Sequence, residues 1–151
     1  MKEFKNITEI LDFAIGEEQA AVDFYLLLGA QSKSAESKKI FQEFAEEEMR
    51  HKANLTKIKE NGTLRLSDEK VRDLKITEYL IDVRPSPNMD YHEALILAMK
   101  KEKAAFRMYT VLAEHAEDPE VKRLLRSLAL EESRHKLRFE IEYDDVVFKE
   151  N

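Results

Sequence analysis

The sequence consists of two related halves displaced by 84 residues, as the step from Glu18 to Glu102 shows. Six positions of the first half, spaced three and four residues apart, recur identically in the second. They are Leu11, Ala14, Glu18, Ala21, Tyr25 and Leu28, matched by Leu95, Ala98, Glu102, Ala105, Tyr109 and Leu112. This spacing places each set on one face of an α-helix. The repeat therefore predicts an all-α fold built from two similar helical hairpins.

A second motif recurs at the same offset. Residues 47–52 (EEMRHK) match residues 131–136 (EESRHK) and differ only at the third position. In both copies the second Glu and the His are three residues apart, so they are neighbours on one helix face. The surrounding stripe is otherwise apolar, with Phe41, Phe44 and Leu55 in the first copy. We expect this face to be buried in the bundle.

Turn and capping residues divide the chain into four long helices. Asn61-Gly62 is a helix stop, and Asp90 and Asp118-Pro119 are helix starts. The predicted helices are 6–31, 35–60, 90–116 and 119–143, with a crossover at 62–89 that holds a short helix at 67–74. Short links make antiparallel neighbours, and the crossover is long enough to run the length of a bundle. We predict one domain, 1–151, with the ferritin-like arrangement: an antiparallel four-helix bundle with one long crossover between helices 2 and 3.

Composition excludes several classes of function. The chain has no Cys, so disulfides, thiolate metal sites and cysteine nucleophiles are ruled out. Its net charge of −6 supplies no basic surface for nucleic acid. The sequence contains no run of about 18 apolar residues and begins with no secretory signal. We expect a cytoplasmic protein that binds neither nucleic acid nor membrane.

Four carboxylates and two imidazoles lie on the core-facing stripes. A lone ionised carboxylate there would be costly, and four facing carboxylates would repel one another. Two divalent cations would balance the four negative charges, and two neutral His would add nitrogen ligands. One Glu from each of two helices with Glu-x-x-His from each of the other two is the ligand set of di-iron and di-manganese carboxylate bundles. The predicted metal ligands are Glu18, Glu48, His51, Glu102, Glu132 and His135.

The competing interpretation is that Glu and His simply cover charged helix surfaces, but it does not explain two glutamates inside apolar stripes or their recurrence. Tyr25 and Tyr109 are predicted either to pack in the core or to hydrogen-bond a metal-binding carboxylate on a facing helix. Flanking polar residues receive surface assignments. Glu47 and Glu131 are predicted to be solvated or paired with Arg, and Arg50 and Arg134 are predicted to form ion pairs between helices. His92 and His115 are predicted to lie on the surface. The methionines Met89, Met99 and Met108 are predicted to fill the core.

The four motifs together resemble the rubrerythrin branch of the ferritin-like superfamily. They are residues 18–25 (EQAAVDFY), 47–51 (EEMRH), 102–109 (EKAAFRMY) and 131–135 (EESRH). The resemblance implies that the six predicted ligands hold two iron ions, with Glu48 and Glu132 able to bridge them and Glu18 and Glu102 terminal. It also implies a homodimer. Ala105 stands where rubrerythrins carry an extra carboxylate, and this sequence lacks the four Cys of their rubredoxin-like iron site, so it is similar to a stand-alone erythrin-type domain.

Several functions are compatible with such a site. The leading hypothesis is a di-iron oxidoreductase that reduces hydrogen peroxide or dioxygen with electrons from a separate donor protein. A ferroxidase that stores or delivers iron is one alternative, and an oxygenase acting on an organic substrate is another. A bundle in which metal only stabilises the fold is the third. The oxygen and nitrogen ligands suit iron or manganese, and zinc could also occupy them.

Overall fold

Four long helices pack as two antiparallel hairpins in the computed structural model, which describes residues 3–150. Residues 1, 2 and 151, the ends of the predicted domain, lie outside the described part. The helices are α1 (Ile7–Gln31), α2 (Ala35–Asn61), the short α3 (Asp68–Leu74), α4 (Tyr91–His115) and α5 (Pro119–Glu150). α1 packs mainly on α2 and α4 mainly on α5, and the two hairpins close the bundle. The all-α ferritin-like bundle with one long crossover is confirmed.

Local signals in the sequence determine where the helices begin and end. The Asn6, Ser34, Ser67 and Asp90 side chains each accept a hydrogen bond from a backbone N–H in the first turn of the following helix. Gly62 ends α2 in the left-handed conformation, with a φ of 62° that suits a glycine. The bounds of α1, α2 and α4 differ from the predicted ones by one residue at most.

The last helix is longer than predicted, and its predicted end at Tyr143 is wrong. α5 continues to Glu150 and includes Asp144 and Asp145, which lie beyond the predicted helix at 119–143. Acidic residues are unfavourable near a helix C-terminus, but residues 144–149 contain neither Gly nor Pro to stop the helix. In addition, Glu142 is buried and the Tyr143 ring contacts His92, which holds this part of α5 on the bundle.

Two apolar clusters fill the bundle on either side of its middle. One includes Ile10, Leu55 and Leu125, and the other includes Leu28, Phe41 and Phe139. Met108 is buried and Met89 and Met99 pack against the second cluster, as predicted. His92 and His115, predicted to be surface residues, are instead half-buried, because the ends of α4 are partly covered by neighbouring elements. The middle level between the clusters holds the polar residues of the candidate site.

Candidate metal centre

The six predicted ligands meet at one level of the bundle. α1 and α4 each contribute one glutamate, and α2 and α5 each contribute a glutamate and a histidine three residues later. All six side chains are 1–2% exposed: Glu18, Glu48, His51, Glu102, Glu132 and His135. The a/d spacing on each helix explains this convergence, because it directs every member of a stripe towards the bundle axis.

The six residues form two overlapping groups, each able to hold one cation. The first group is Glu18, Glu48, His51 and Glu132, and the second is Glu48, Glu102, Glu132 and His135. Within each group the potential ligand atoms lie within 4.8 Å of one another. Glu48 and Glu132 belong to both groups, so their carboxylates stand between the two positions. This is an arrangement for two neighbouring ions rather than one.

The chemistry of the donor atoms fits a cation at both positions. Each of the six side chains has one buried oxygen or nitrogen atom without a hydrogen-bond partner. These atoms are Oε2 of Glu18 and Glu102, Oε1 of Glu48 and Glu132, and Nδ1 of His51 and His135. Nδ1 of His51 is 3.1 Å from Oε1 of Glu132, and Nδ1 of His135 is 3.1 Å from Oε1 of Glu48, without the angles of hydrogen bonds. Unpartnered buried polar atoms are costly, and metal coordination would satisfy all six.

Two further glutamates fix the orientation of the imidazole rings. Nε2 of His51 donates to Oε2 of Glu131 at 2.6 Å, and Nε2 of His135 donates to Oε2 of Glu47 at 2.5 Å. Because a carboxylate accepts at Nε2, the neutral ring carries its proton there and leaves the Nδ1 lone pair free for a metal. Each bond joins α2 to α5, and the two are related by the sequence repeat.

These contacts correct the predicted roles of Glu47 and Glu131. Each glutamate does lie near an arginine, Arg50 at 3.9 Å and Arg134 at 3.7 Å, but its other oxygen holds a histidine of the opposite helix. The arginine pairs lie within one helix, three residues apart, so the prediction that they link helices is wrong. Recurrence at the same offset was the available signal, because a merely solvated residue gives no reason for repetition. One residue off the core stripe, both glutamates face the α2–α5 interface rather than solvent.

The two tyrosines at equivalent repeat positions have different contacts. The Tyr109 hydroxyl donates to Oε1 of Glu18 on the facing helix, which is the hydrogen-bonding alternative considered for it. The Tyr25 ring packs against Phe139 at 5.1 Å and meets the His135 ring edge-on at 6.2 Å. Both are 1% exposed. The two halves of the site are therefore related but not identical.

Burial and mutual repulsion control the protonation of the cluster without metal. Burial, and then the charges of Glu132 and Glu18, raise the pKa of Glu48 well above its ordinary value. Burial and the charge of Glu132 do the same to the pKa of Glu102. Burial alone would lower the pKa of His51, but the close, negatively charged carboxylates of Glu132 and Glu18 outweigh it and raise the pKa to about 11.

His135 responds in the same way as His51. Burial lowers its pKa, and the facing carboxylate of Glu102, the hydrogen bond with Glu47 and the charge of Glu132 raise it to about 10. The hydrogen bond from His135 in turn lowers the pKa of Glu47. Protons therefore occupy the buried site when no other cation does.

A cavity of about 60 Å³ reaches the carboxylates from the α1–α4 side of the bundle. Glu18, Glu48, Glu102 and Glu132 form its floor. Small side chains line the helices beside it, including Ala21 and Ala105, and residues of the crossover line its outer side. The space suits a few water-sized molecules.

The fold and the site together define a class: a ferritin-like bundle with a buried carboxylate and histidine cluster able to hold metal. The family model described as Rubrerythrin matches residues 9–143. The chain therefore belongs to the rubrerythrin family, as the motifs predicted.

A solved structure supports the same fold. A hypothetical protein from Pyrococcus furiosus matches with a TM-score of 0.70 and 27% sequence identity, over 91% of this chain and 87% of that one. No curated protein sequence gave a significant match. Among the described residues, no helix has both the length and the hydropathy needed to cross a membrane.

Proposed function

We propose that the protein is a non-haem di-iron oxidoreductase that reduces hydrogen peroxide or dioxygen. The observation that carries the proposal is the sharing of Glu48 and Glu132 by two buried donor groups. Four carboxylates balance the charge of two ferrous ions, and two imidazoles complete an oxygen and nitrogen ligand set that iron accepts. Manganese and zinc are competing occupants that metal analysis will distinguish.

Iron held by the six ligands would supply the Lewis acidity and the electrons for cleavage of an O–O bond. The residues of the chain itself would bind the metal ions and orient the ligand atoms. Glu47 and Glu131 keep each histidine Nδ1 directed at the centre, and Tyr109 holds a proton against Glu18. The apolar clusters above and below exclude bulk water. Reduction of peroxide consumes two electrons and two protons and releases two waters, and we propose that a separate donor protein supplies the electrons.

The size of the cavity favours a small oxidant over an organic substrate. About 60 Å³ accommodates peroxide or dioxygen, whereas drug-sized ligands occupy pockets of roughly 300 Å³ or more. This observation weighs against the oxygenase alternative. Ferroxidase activity would use the same ligands, and the experiment that follows distinguishes it from repeated reduction of peroxide or dioxygen.

The test compares oxidants on protein loaded anaerobically with ferrous iron. We expect the iron to be oxidised by peroxide or dioxygen and, with a chemical reductant present, to turn over repeatedly without release of ferric iron. Glu48→Ala should abolish turnover, whereas Glu46→Ala, an exposed neighbour, should preserve it. One oxidation followed by ferric accumulation would favour the ferroxidase alternative. Full turnover in Glu48→Ala would contradict the proposal.

We also propose a homodimer, as the family resemblance implies. Size measurement by light scattering should give twice the 17.7 kDa chain mass. A large multi-subunit shell would instead support iron storage, and a monomer would contradict the dimer.

A further inference from the structure

The crossover forms the outer wall of the cavity that leads to the glutamate cluster. The wall is residues 80–85, called the strap below, and Leu80, Ile81, Arg84 and Pro85 line the cavity. On the bundle side α1 and α4 face each other across alanines at this level, including Ala20 and Ala104. Because alanines do not fill the gap between the helices, the strap separates the carboxylates from solvent.

The strap's backbone is hydrogen-bonded to the bundle through one lysine, and its Leu80 and Ile81 side chains pack against the two apolar clusters. Lys101 Nζ of α4 donates to the Ile81 carbonyl at 3.3 Å. Among the described residues this is the one hydrogen bond made by the backbone of residues 80–85. Asp82, Val83 and Arg84 are exposed, and the strap has no helix or strand of its own. A segment with so few backbone hydrogen bonds opens at low free-energy cost.

The same lysine connects the strap to α1. Lys101 Nζ lies 3.3 Å from Oε2 of Glu17, and the two side chains are 19% and 27% exposed at the cavity mouth. Glu17 and Lys101 occupy equivalent positions in the 84-residue repeat, so the two halves of the chain differ in charge where they face each other. This difference makes a lysine–glutamate ion pair across the gap between α1 and α4.

We propose that the strap is a gate on the path from solvent to the glutamate cluster and that Lys101 is its latch. With the latch formed, the strap confines the cavity to water-sized molecules. When Lys101 releases the Ile81 carbonyl, the strap moves away and the cavity opens at the α1–α4 gap. The gate's role in admitting an oxidant rests on the proposed function, but its existence is tested without metal or turnover.

The test uses an introduced thiol, which is unique because the chain has no Cys. Ala105→Cys places it on the cavity wall behind the strap, and its alkylation by iodoacetamide is followed by mass spectrometry in the full-length protein. The rate should be well below that of a thiol at exposed Ser133. Lys101→Met should raise it about fivefold, the effect of losing one hydrogen bond on a fast opening equilibrium. Glu17→Gln, which keeps the bond to Ile81, should raise it less.

Two controls separate gating from general loosening. Lys103→Met removes an exposed lysine two residues along α4 and should leave the rate unchanged. Ala129→Cys places a thiol between α4 and α5, away from the strap, and Lys101→Met should not change its alkylation. An unchanged rate at Ala105→Cys, or equal acceleration at both thiols, would overturn the gate. Failure of iron turnover with a working gate would reject the proposed function alone.

Discussion

His51 and His135 face carboxylates at both ring nitrogens, and each ring is hydrogen-bonded at Nε2. Each Nδ1 faces the buried glutamates and each Nε2 donates to a glutamate of the opposite helix. A histidine held in this way is already oriented for a metal before the metal binds. We therefore expect the outer glutamate to contribute to metal affinity without touching the ion.

Removing an outer glutamate should weaken metal binding. Glu131→Ala or Glu47→Ala should each reduce ferrous affinity about 10- to 100-fold, because the ring loses its fixed orientation and tautomer. Competition with a chromophoric chelator measures the affinity. Glu46→Ala, exposed on the same helix as Glu47, is the matched control. Unchanged affinity in both outer variants would show that the rings are positioned by packing alone.

The two tyrosines should respond differently to loss of the hydroxyl. Tyr109→Phe removes the hydrogen bond to Glu18 and should weaken metal binding roughly tenfold, as expected for a bond to a charged group. Tyr25→Phe retains the ring contacts with His135 and Phe139 and should have a smaller effect. Isothermal titration with a divalent cation compares them. Equal effects would show that the asymmetry between the halves has no energetic consequence.

Metal binding should release protons, and affinity should rise with pH. Without metal the pKa values of His51 and His135 are about 11 and 10, so both rings hold protons that a cation must displace. Both pKa values exceed the ordinary 6.5 of histidine, so protonation of the two rings stabilises the metal-free fold. This stabilisation is complete below pH 6.5 and is lost as the pH rises towards 10 to 11.

Titration calorimetry in buffers of different ionisation enthalpy counts the released protons, and urea unfolding gives the metal-free stability. Affinity that is independent of pH would contradict the protonated site. Urea unfolding at pH 6 and pH 9 should show the metal-free protein less stable at the higher pH.

At the scale of helices, the end of α5 carries a polar cluster that the end of α2, its equivalent in the repeat, lacks. Glu142 is buried and accepts hydrogen bonds from Ser37 at 2.7 Å and Tyr91 at 2.9 Å. The equivalent positions at the other end of the bundle are Ile58, Val121 and Ile7. One end of the bundle is therefore closed by apolar packing and the other by a buried carboxylate that joins α2, α4 and α5.

Truncating that carboxylate should destabilise the bundle. Glu142→Ala leaves buried partners without an acceptor and should cost roughly 3 kcal/mol in the free energy of unfolding. Glu140→Ala, on the more exposed side of α5, should cost well under 1 kcal/mol. Combining Glu142→Ile with Ser37→Val and Tyr91→Ile copies the apolar end and should recover the loss. If Glu142→Ala were as stable as Glu140→Ala in urea titrations, the cluster would have no structural role.

The helices and their topology could be read from the sequence because periodicity, caps and loop lengths are local. Asn6, Ser34 and Asp90 cap as polar N-cap residues do. The end of α5 was harder to predict, because the acidic pair Asp144-Asp145 suggested a stop, whereas contacts of Glu142 and Tyr143 with other helices hold this part of α5 on the bundle. The contacts of Glu47 and Glu131 were missed for the same reason, which is that they join different helices. Their partners lie on another helix, and no pattern within one helix shows which side chain they meet.

At the scale of the whole molecule, the two halves of the chain form a nearly two-fold arrangement around the site. Each half contributes one Glu from its first helix and a Glu-x-x-His pair from its second. The symmetry is broken at the cavity, where Glu17 faces Lys101 and the crossover covers one side. The convergence of the six candidate ligands was predictable from the repeat, whereas the cavity and its strap depend on how the crossover lies on the bundle.

The central claim is that six buried side chains hold two metal ions in each chain. Elemental analysis after anaerobic loading with ferrous iron and removal of excess metal measures this directly. We predict about two irons per chain in the natural protein and a loss of both in Glu48→Ala, because Glu48 belongs to both donor groups. No bound metal, or two irons retained in Glu48→Ala, would contradict the account and leave the six residues as a protonated polar core.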